Sequence, residues 1–360
     1  MDGPCRLGYP ARWRDDAAAA GRDGRPHGMP GVSATNVAVG ADPNAALAQR
    51  RVTVGLLAGL GAGALWGLVF VAPRMAPGFT GVDVASFRFM SFGLMSAVLL
   101  AWRLRRGEVP PTGAQMRAAL GLSVLGFTGY YTLLALAIGW AGTAVPALII
   151  GTIPLWLMVL GKPEHLSWRA LWPGLVCTAA GLALMVWADL AHVTLGDAAS
   201  GQYGWGMALA VLSMVSWTAF ALLNERWVKA HPEVDSAQWT NWLGVATGLG
   251  ALLLWLALGT PWAELVALPG LVQGLMVCVL TGVGSAWLAS LLWTMASRRL
   301  SASLCGQLIV SETLFALVYS FVWDATWPLP VQWVAAVLFV LGIVASVRAH
   351  REPAIDEVHL

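Results

Sequence analysis

The sequence predicts an all-α integral membrane protein with ten transmembrane helices. The 360 residues are 58% hydrophobic and only 11% charged, whereas a soluble domain has about 25% charged residues. Apolar segments of about 20 residues, the length that crosses a bilayer, recur along the chain. The sequence also holds 20 Trp, a residue that is enriched at both membrane interfaces. Such a chain has too little polar surface to cover a soluble core, so its main solvent is lipid.

The predicted spans, numbered 1 to 10, are apolar segments that contain few charged residues. They cover residues 52–72, 82–102, 116–138, 143–161, 169–188, 204–223, 237–258, 270–296, 302–323 and 330–347. Residues 1–51 lack the apolar run of about 7–15 residues that a secretory signal needs. We interpret them as a disordered cytoplasmic tail, with a later translation start, for example at Met29, as the alternative. Residues 348–360 are a second cytoplasmic tail.

The basic residues give the ten spans a direction. Of the 21 Lys and Arg, 19 fall in the two tails and in or beside the connections after spans 2, 4, 6 and 8, and the exceptions are Arg74 and Arg88. These positions all lie on one side if there are ten spans. Positive charge stays in the cytoplasm. We therefore expect a multi-pass protein of the cell inner membrane with both termini in the cytoplasm.

Internal repetition divides the ten spans into two halves, residues 52–188 and 204–347. Offsets of 161 residues for spans 5 and 10, and of 159 for spans 3–4 and 8–9, align similar residues. The aligned residues are Trp172 with Trp333, Gly181 with Gly342, Ala137 with Ala296 and Thr152 with Ser311, and Trp66 corresponds to Trp217. Because five is odd, the halves enter the membrane in opposite directions. Such inverted repeats surround a central cavity in secondary transporters.

Four segments carry a resemblance to a known family. They are GALWGLVFVAPRMAP (63–77), FRFMSFGLMSA (87–97), LGKPEHLSWRALWPGLVCTAAGLALM (160–185) and VSETLFALVYSFVWDATWP (310–328). In order and spacing they resemble the EamA-type transporters of the drug/metabolite transporter superfamily. The resemblance implies a ten-helix exporter or importer of small metabolites. It also implies a cavity lined by spans 1, 3, 4, 6, 8 and 9, with spans 5 and 10 outside. The family often has Pro after the Glu of span 9, but Thr313 follows Glu312 here, so a kink is shifted or absent.

Glu312 lies near the middle of span 9, deeper than any other carboxylate of the chain. Ionisable residues inside a membrane are expensive and usually functional. We hypothesise that Glu312 couples transport to protons or binds a substrate ammonium. The alternative is a neutral carboxyl that is hydrogen-bonded to Ser311, Gln307 or a facing helix.

Arg88 lies about six residues inside span 2, close enough to the interface for its long side chain to reach polar surroundings. The functional interpretation is that it binds an anionic group such as a carboxylate. The alternative is a structural role, in which it reaches outward or joins helices through backbone carbonyls or Asp83.

Aromatic side chains lie deep in several spans, where a Trp N–H or Tyr O–H needs a partner. They predict a partly aromatic cavity wall, although each ring alone could fill ordinary space between helices. The candidate substrate-binding residues are Trp66, Arg88, Tyr130, Tyr131, Trp156, Trp217, Trp287, Gln307 and Ser311. Gly55, Gly59, Gly63 and Gly67 form a smooth face for close helix packing in span 1. Pro146 and Pro154 predict a bend in span 4.

The predicted function is secondary transport of a small metabolite, such as an amino acid or a related compound, with export favoured. A membrane-embedded enzyme that acts on a lipid or acyl substrate is the alternative. No catalytic residue, metal site or cofactor is predicted, and the acidic and His residues of the outer loops form no motif. The expected partners are a small-molecule substrate and the lipid bilayer. No nucleic acid is expected, and the chain could be a monomer or a homodimer.

Overall fold

The computed structural model describes residues 43–142, 144–190, 201–325 and 327–350. Every regular element in these residues is a helix. The first helix begins at Pro43, so residues 43–51, which the sequence placed in a disordered tail, are helical. The rest of that tail and residues 351–360 lie outside the described residues.

Nine helices in the described part are long and apolar enough to cross a membrane, and a shorter apolar helix provides the tenth. This confirms the predicted all-α membrane fold. In the order of spans 1 to 10, the helices are Gln49–Phe70, Gly81–Arg105, Gly113–Ala141, Val145–Leu160, Trp168–Trp187, Gln202–Ala230, Ser236–Leu258, Leu271–Ser297, Ala302–Trp323 and Pro330–Ala349. A short helix, Trp262–Leu265, lies between spans 7 and 8.

Side-chain caps define where several spans begin. A Ser, Thr or Asp side chain satisfies backbone N–H groups that the first helical turn leaves without partners. Spans 2, 3, 7 and 9 begin after Thr80, Thr112, Asp235 and Ser301, each of which accepts a hydrogen bond from a backbone N–H three residues later.

Span 4 is interrupted, as its prolines predict. One helix ends at Gly151 and the next begins at Ile153. Pro154 lies at the start of the second helix, where its missing N–H leaves no bond unmade. Pro146 lies in the first turn of the first helix and breaks nothing. Span 9, in contrast, is one continuous helix through Thr313, so the family's break after Glu312 is absent.

Two spans contain a π-helical segment, in which the hydrogen bonds run from i to i+5. Residues Val124–Thr128 of span 3 and Gly282–Leu288 of span 8 have this conformation. The offset of 159 residues that aligns these spans carries the first segment to residues 283–287, inside the second. The same irregularity therefore occurs at equivalent positions of the two halves.

Spans 2 and 7 pack against each other in opposite directions. They cross at two glycines, since a Cβ on Gly93 would lie 2.5 Å from the Cα of Gly248. At one end, Asp83 of span 2 accepts hydrogen bonds from the N–H and hydroxyl of Thr260, at 2.8 and 2.7 Å. At the other end, Arg103 forms an ion pair with Asp235. The start of each helix is therefore fixed to the end of the other.

The equivalent spans 5 and 10 are also antiparallel. Gly174 lies against Ser346, and Gly181 lies against Phe339. Together these two spans have the smallest share of buried residues among the nine longer helices, as expected for helices outside the cavity.

Spans 4 and 9 form a third antiparallel pair. Gly161 of span 4 lies against Ala302, and Leu157 lies against Gly306 of span 9. In each of these three pairs, a span of the first half runs antiparallel to its equivalent in the second half. This is the geometry of an inverted repeat.

The glycine face of span 1 packs on span 9, which confirms its predicted packing role. An added Cβ would lie 2.5 Å from Leu308 at Gly59 and 2.2 Å from the Ser311 hydroxyl at Gly63. Span 1 also contacts span 8, while span 6 packs in the equivalent way on spans 3 and 4. The first helix of each half therefore lies against the third and fourth helices of the other half.

Candidate substrate site

Arg88 is 5% exposed and donates a hydrogen bond of 2.7 Å from Nη2 to the Tyr131 hydroxyl. Its guanidinium carbon lies 4.6 Å from the centroid of the Phe89 ring and 5.3 Å from that of Tyr131. Its Nε is buried without a hydrogen-bond partner. Asp83, the suggested structural partner, instead accepts hydrogen bonds from Thr80 and Thr260. Among the described residues, Arg88 forms no ion pair.

The Glu312 carboxyl lies within electrostatic range of the Arg88 guanidinium. It makes no hydrogen bond with any described residue, and two of the partners suggested from the sequence are engaged elsewhere. Ser311 donates to the Leu308 carbonyl at 2.6 Å. The Gln307 amide bonds to Thr178 and Ser346. The two ionisable residues singled out in the sequence thus come from different halves to one region, without pairing directly.

Tyr130 completes this polar cluster. Its phenol interacts electrostatically with Tyr131, Glu312 and Arg88, and its ring meets the Tyr131 ring edge to face at 5.0 Å. The tyrosines are the second and third residues after the π segment of span 3. The π segment of span 8 packs on span 2 at the same level, because a Cβ on Gly282 would lie 2.5 Å from the Arg88 carbonyl oxygen.

Three indoles contributed by both halves form an aromatic cluster. The Trp66 ring lies 6.4 Å from Trp217 and 5.4 Å from Trp293, and the last two rings are 6.1 Å apart. Trp293 is 4% exposed, and its N–H is buried without a partner. Trp293 was not among the predicted residues, and it lies near the end of span 8, where interfacial Trp is ordinary.

Further ring contacts connect the indole cluster to the polar cluster. Each ring touches the next at centroid distances between 5.0 and 6.0 Å. In order, the connected residues are Trp217, Phe220, Phe127, Phe89 and Tyr131. The wall between Trp66 and Tyr130 is therefore aromatic along its length, and the three phenylalanines in it were not among the predicted residues.

Other predicted residues lie elsewhere. Trp287 packs beside the Phe89 cluster and donates a hydrogen bond of 2.9 Å to the Asn241 side chain. Trp156 is 45% exposed and makes no ring contact in the described part of the chain. Gln307 and Ser311 are 0% and 2% exposed. The Gln307 side chain bonds to Thr178 of span 5 and Ser346 of span 10, and the Ser311 hydroxyl donates to the Leu308 carbonyl of its own helix. We therefore leave Trp156, Gln307 and Ser311 out of the proposed site.

Comparisons with known proteins agree with this architecture. Residues 53–187 match the family described as EamA-like transporter family. Over 317 residues the chain is 32% identical to the "Inner membrane protein YtfF" of Escherichia coli (strain K12), an alignment that covers 84% of this chain and 98% of that protein. The chain belongs to the EamA-like transporter family. A solved crystal structure shares its fold with a TM-score of 0.64 at 18% identity, over 82% of this chain and 99% of that chain.

Membership of this family makes the chain a membrane transporter of the drug/metabolite transporter superfamily. The many apolar helices and the similarity to YtfF support a multi-pass protein of the inner membrane. The family resemblance noted in the sequence is thereby confirmed. Within the described residues, no group of three or more His, Cys, Asp or Glu side chains is arranged to hold a metal ion.

Proposed function

We propose that this protein is a secondary carrier that exports a small zwitterionic metabolite, an amino acid or a related compound, by alternating access. The observation that carries the proposal is the pair formed by Arg88 and Glu312. The two side chains are within electrostatic range but not ion-paired. They come from opposite halves, at the interface where secondary transporters hold their substrate.

Each end of a zwitterion has a suitable partner in this cluster. Arg88 has an unpartnered Nε and a hydrogen bond only to the Tyr131 hydroxyl, and guanidinium groups bind carboxylates with strong charge-assisted bonds. Glu312 has no hydrogen-bond partner among the described residues and suits an ammonium group. The indole cluster of Trp66, Trp217 and Trp293 offers apolar area to the rest of the substrate.

Glu312 also supplies a means of proton coupling in this proposal. A carboxyl inside a membrane is costly when charged and unpaired. It therefore favours a proton when the site is empty and releases that proton when a substrate ammonium arrives. Exchange of the two cations at one carboxyl would connect substrate movement to the proton gradient.

The proposed direction uses the charge distribution of the chain. We place both termini in the cytoplasm, because 19 of the 21 Lys and Arg then lie on that side. Cysteine substitutions at Arg106 and at Gly81, which belong to opposite ends of span 2, test this placement in a chain whose Cys5 is replaced by Ser. In intact cells, a membrane-impermeant maleimide should label only the Gly81→Cys variant. Labelling of only the Arg106→Cys variant would reverse the assigned direction.

The test of transport is counterflow in sealed proteoliposomes. Vesicles loaded with a mixture of unlabelled amino acids should accumulate an external labelled amino acid that the carrier accepts, and empty vesicles should not. Individual amino acids in the lumen then identify the substrate. Chemical conversion of the compound in detergent solution, where no compartments exist, would instead favour an enzyme and refute the proposal.

A further inference from the structure

A cavity lies at the end of the protein that carries most of the basic residues. It has a volume of about 370 Å³, within the range of roughly 300–1,000 Å³ that is typical of small-molecule sites. Spans 1, 6, 9 and 10 and the connections before span 5 and span 9 contribute its walls. The lining combines aliphatic side chains with five ionisable residues, which are His165, Glu225, Lys229, Arg299 and His350.

Buried apolar side chains separate this cavity from the proposed substrate site. Leu304 lines the cavity, and Glu312 is eight residues further along the same helix, which corresponds to about 12 Å. Leu157 and Leu308, 0% and 1% exposed, belong to the cluster that fills the space between them. The cavity is thus distinct from the region of Arg88 and Glu312.

The charges of the cavity leave one cation without a counter-ion. Lys229 forms an ion pair with Glu225 and donates to the Leu300 carbonyl at 2.7 Å. Arg299 donates from Nη1 to the Met295 carbonyl at 2.8 Å and forms no ion pair with the described residues. The guanidinium of Arg299 therefore gives the cavity a net positive charge.

His350 presents a polar atom that lacks a partner. Its Nδ1 donates to the Ser346 carbonyl at 2.7 Å, which leaves Nε2 as the second polar atom of the ring. That Nε2 is buried and makes no hydrogen bond. Burial, together with the neighbouring His165, lowers the pKa of His350 below its usual value. The surroundings of His350 therefore favour the neutral ring, and an anion beside Nε2 would favour its protonated form.

We propose that this cavity binds an organic anion, a carboxylate or phosphate carried on an apolar body, which faces Arg299 and takes a hydrogen bond from Nε2 of a protonated His350. The aliphatic walls from spans 1, 9 and 10 hold the apolar body. The anion has two possible sources, a metabolite in the adjacent aqueous phase or the headgroup of an anionic lipid. This inference does not depend on the identity of the transported substrate.

The test measures benzoate binding to the full-length protein in phosphatidylcholine nanodiscs by calorimetry, with benzyl alcohol as the uncharged analogue. We expect saturable binding of benzoate and none of benzyl alcohol. Arg299→Gln should weaken benzoate binding about tenfold or more, as expected for a charge-assisted bond. Arg348→Gln is the matched control, because Arg348 is exposed on the same end of the protein and does not line the cavity.

The pH dependence supplies an independent readout. Benzoate affinity should rise as the pH falls, because His350 then gains the proton with which its Nε2 bonds the anion. Replacement of His350 by Gln should remove most of this change, although His165, Glu225, Lys229 and Arg299 also face the cavity. If Arg299→Gln does not fold, the ring signals of labelled His350 in the unmodified protein provide the test, because benzoate should increase the protonated fraction of this ring.

The outcomes are distinct. Loss of benzoate binding in nanodiscs that contain phosphatidylglycerol identifies a lipid headgroup as the occupant. Unchanged binding there identifies a soluble anion. An absence of saturable benzoate binding in phosphatidylcholine, or an affinity that Arg299→Gln leaves unchanged, overturns the proposal.

Discussion

A hydrogen bond of 2.7 Å joins Nη2 of Arg88 to the hydroxyl of Tyr131. It connects spans 2 and 3 inside the first half, and it is the bond that fixes the orientation of the guanidinium group. The proposed role of Arg88 as the carboxylate partner therefore depends on Tyr131.

Tyr131→Phe should raise KM for the substrate several-fold, with a smaller change in kcat. The ring remains, so its contacts with Phe89 and Tyr130 persist, but Arg88 loses the acceptor that orients it. Initial rates in proteoliposomes measure both parameters. Tyr203→Phe is the matched control, because Tyr203 lies at the start of span 6, outside the polar cluster. An equal KM for Tyr131→Phe and the unmodified protein would contradict the assignment.

Glu312→Gln should abolish the dependence of transport on pH and on an imposed proton gradient. Gln has nearly the same shape, but it neither binds nor releases a proton, so flux driven by the gradient should stop. Counterflow, which needs no gradient, should persist at a reduced rate. Glu225→Gln serves as the comparison, because Glu225 is paired with Lys229 away from the substrate site. Transport that stays pH-dependent in Glu312→Gln would remove this residue from the coupling mechanism.

Gly63→Ala should destabilise the protein by about 1–3 kcal/mol, the usual cost of inserting a methyl group into a packed contact. The new Cβ would lie 2.2 Å from the Ser311 hydroxyl and 3.2 Å from the Glu312 backbone nitrogen. Thermal unfolding in detergent gives the loss. Gly121→Ala in span 3 has no atom within 4 Å of its Cβ and should be neutral or stabilising. A double substitution with Ser311→Ala should recover part of the loss, and no recovery would argue against this contact.

Trp293→Phe should leave the unfolding temperature nearly unchanged but weaken substrate binding. The indole N–H has no partner in the structure, so its removal breaks no protein hydrogen bond, while Phe keeps most of the apolar contact. Because we expect the N–H to face the bound substrate, KM should rise about threefold to tenfold. Trp293→Ala, in contrast, creates a cavity and should cost about 3–5 kcal/mol of stability. A large stability loss in Trp293→Phe would show that the N–H serves the fold.

Composition and charge were sufficient to predict the ten helices, because crossing a bilayer requires long apolar segments that satisfy their own backbone. Local chemistry also predicted the break at Pro154 and the close packing at Gly59 and Gly63. The proximity of Arg88 and Glu312 could not be predicted, since residue spacing gives depth along a helix but not which face meets another helix.

Two residues whose surroundings differ from the expectation show the limit of that reasoning. Gln307 has the right depth for a cavity, but its amide turns towards span 5 and bonds to Thr178. Trp293 lies near the end of span 8, a position typical of an interfacial anchor, so its depth did not predict a place in the site. The sequence did not predict the two π segments, because an added residue in a helical turn changes the hydrophobicity and length of a span too little to be recognised.

Those paired π segments have a mechanical consequence. A π turn holds one residue more than an α turn, and this irregularity can shift along the helix. When it moves one position along the chain, only a few hydrogen bonds are exchanged, while each residue it passes rotates by about 100° around the helix axis. In span 3 this rotation would act on Tyr130 and Tyr131, and in span 8 on Trp287. Each half thus contains one span in which a shift of the π segment can rotate side chains of the site while the helix stays folded.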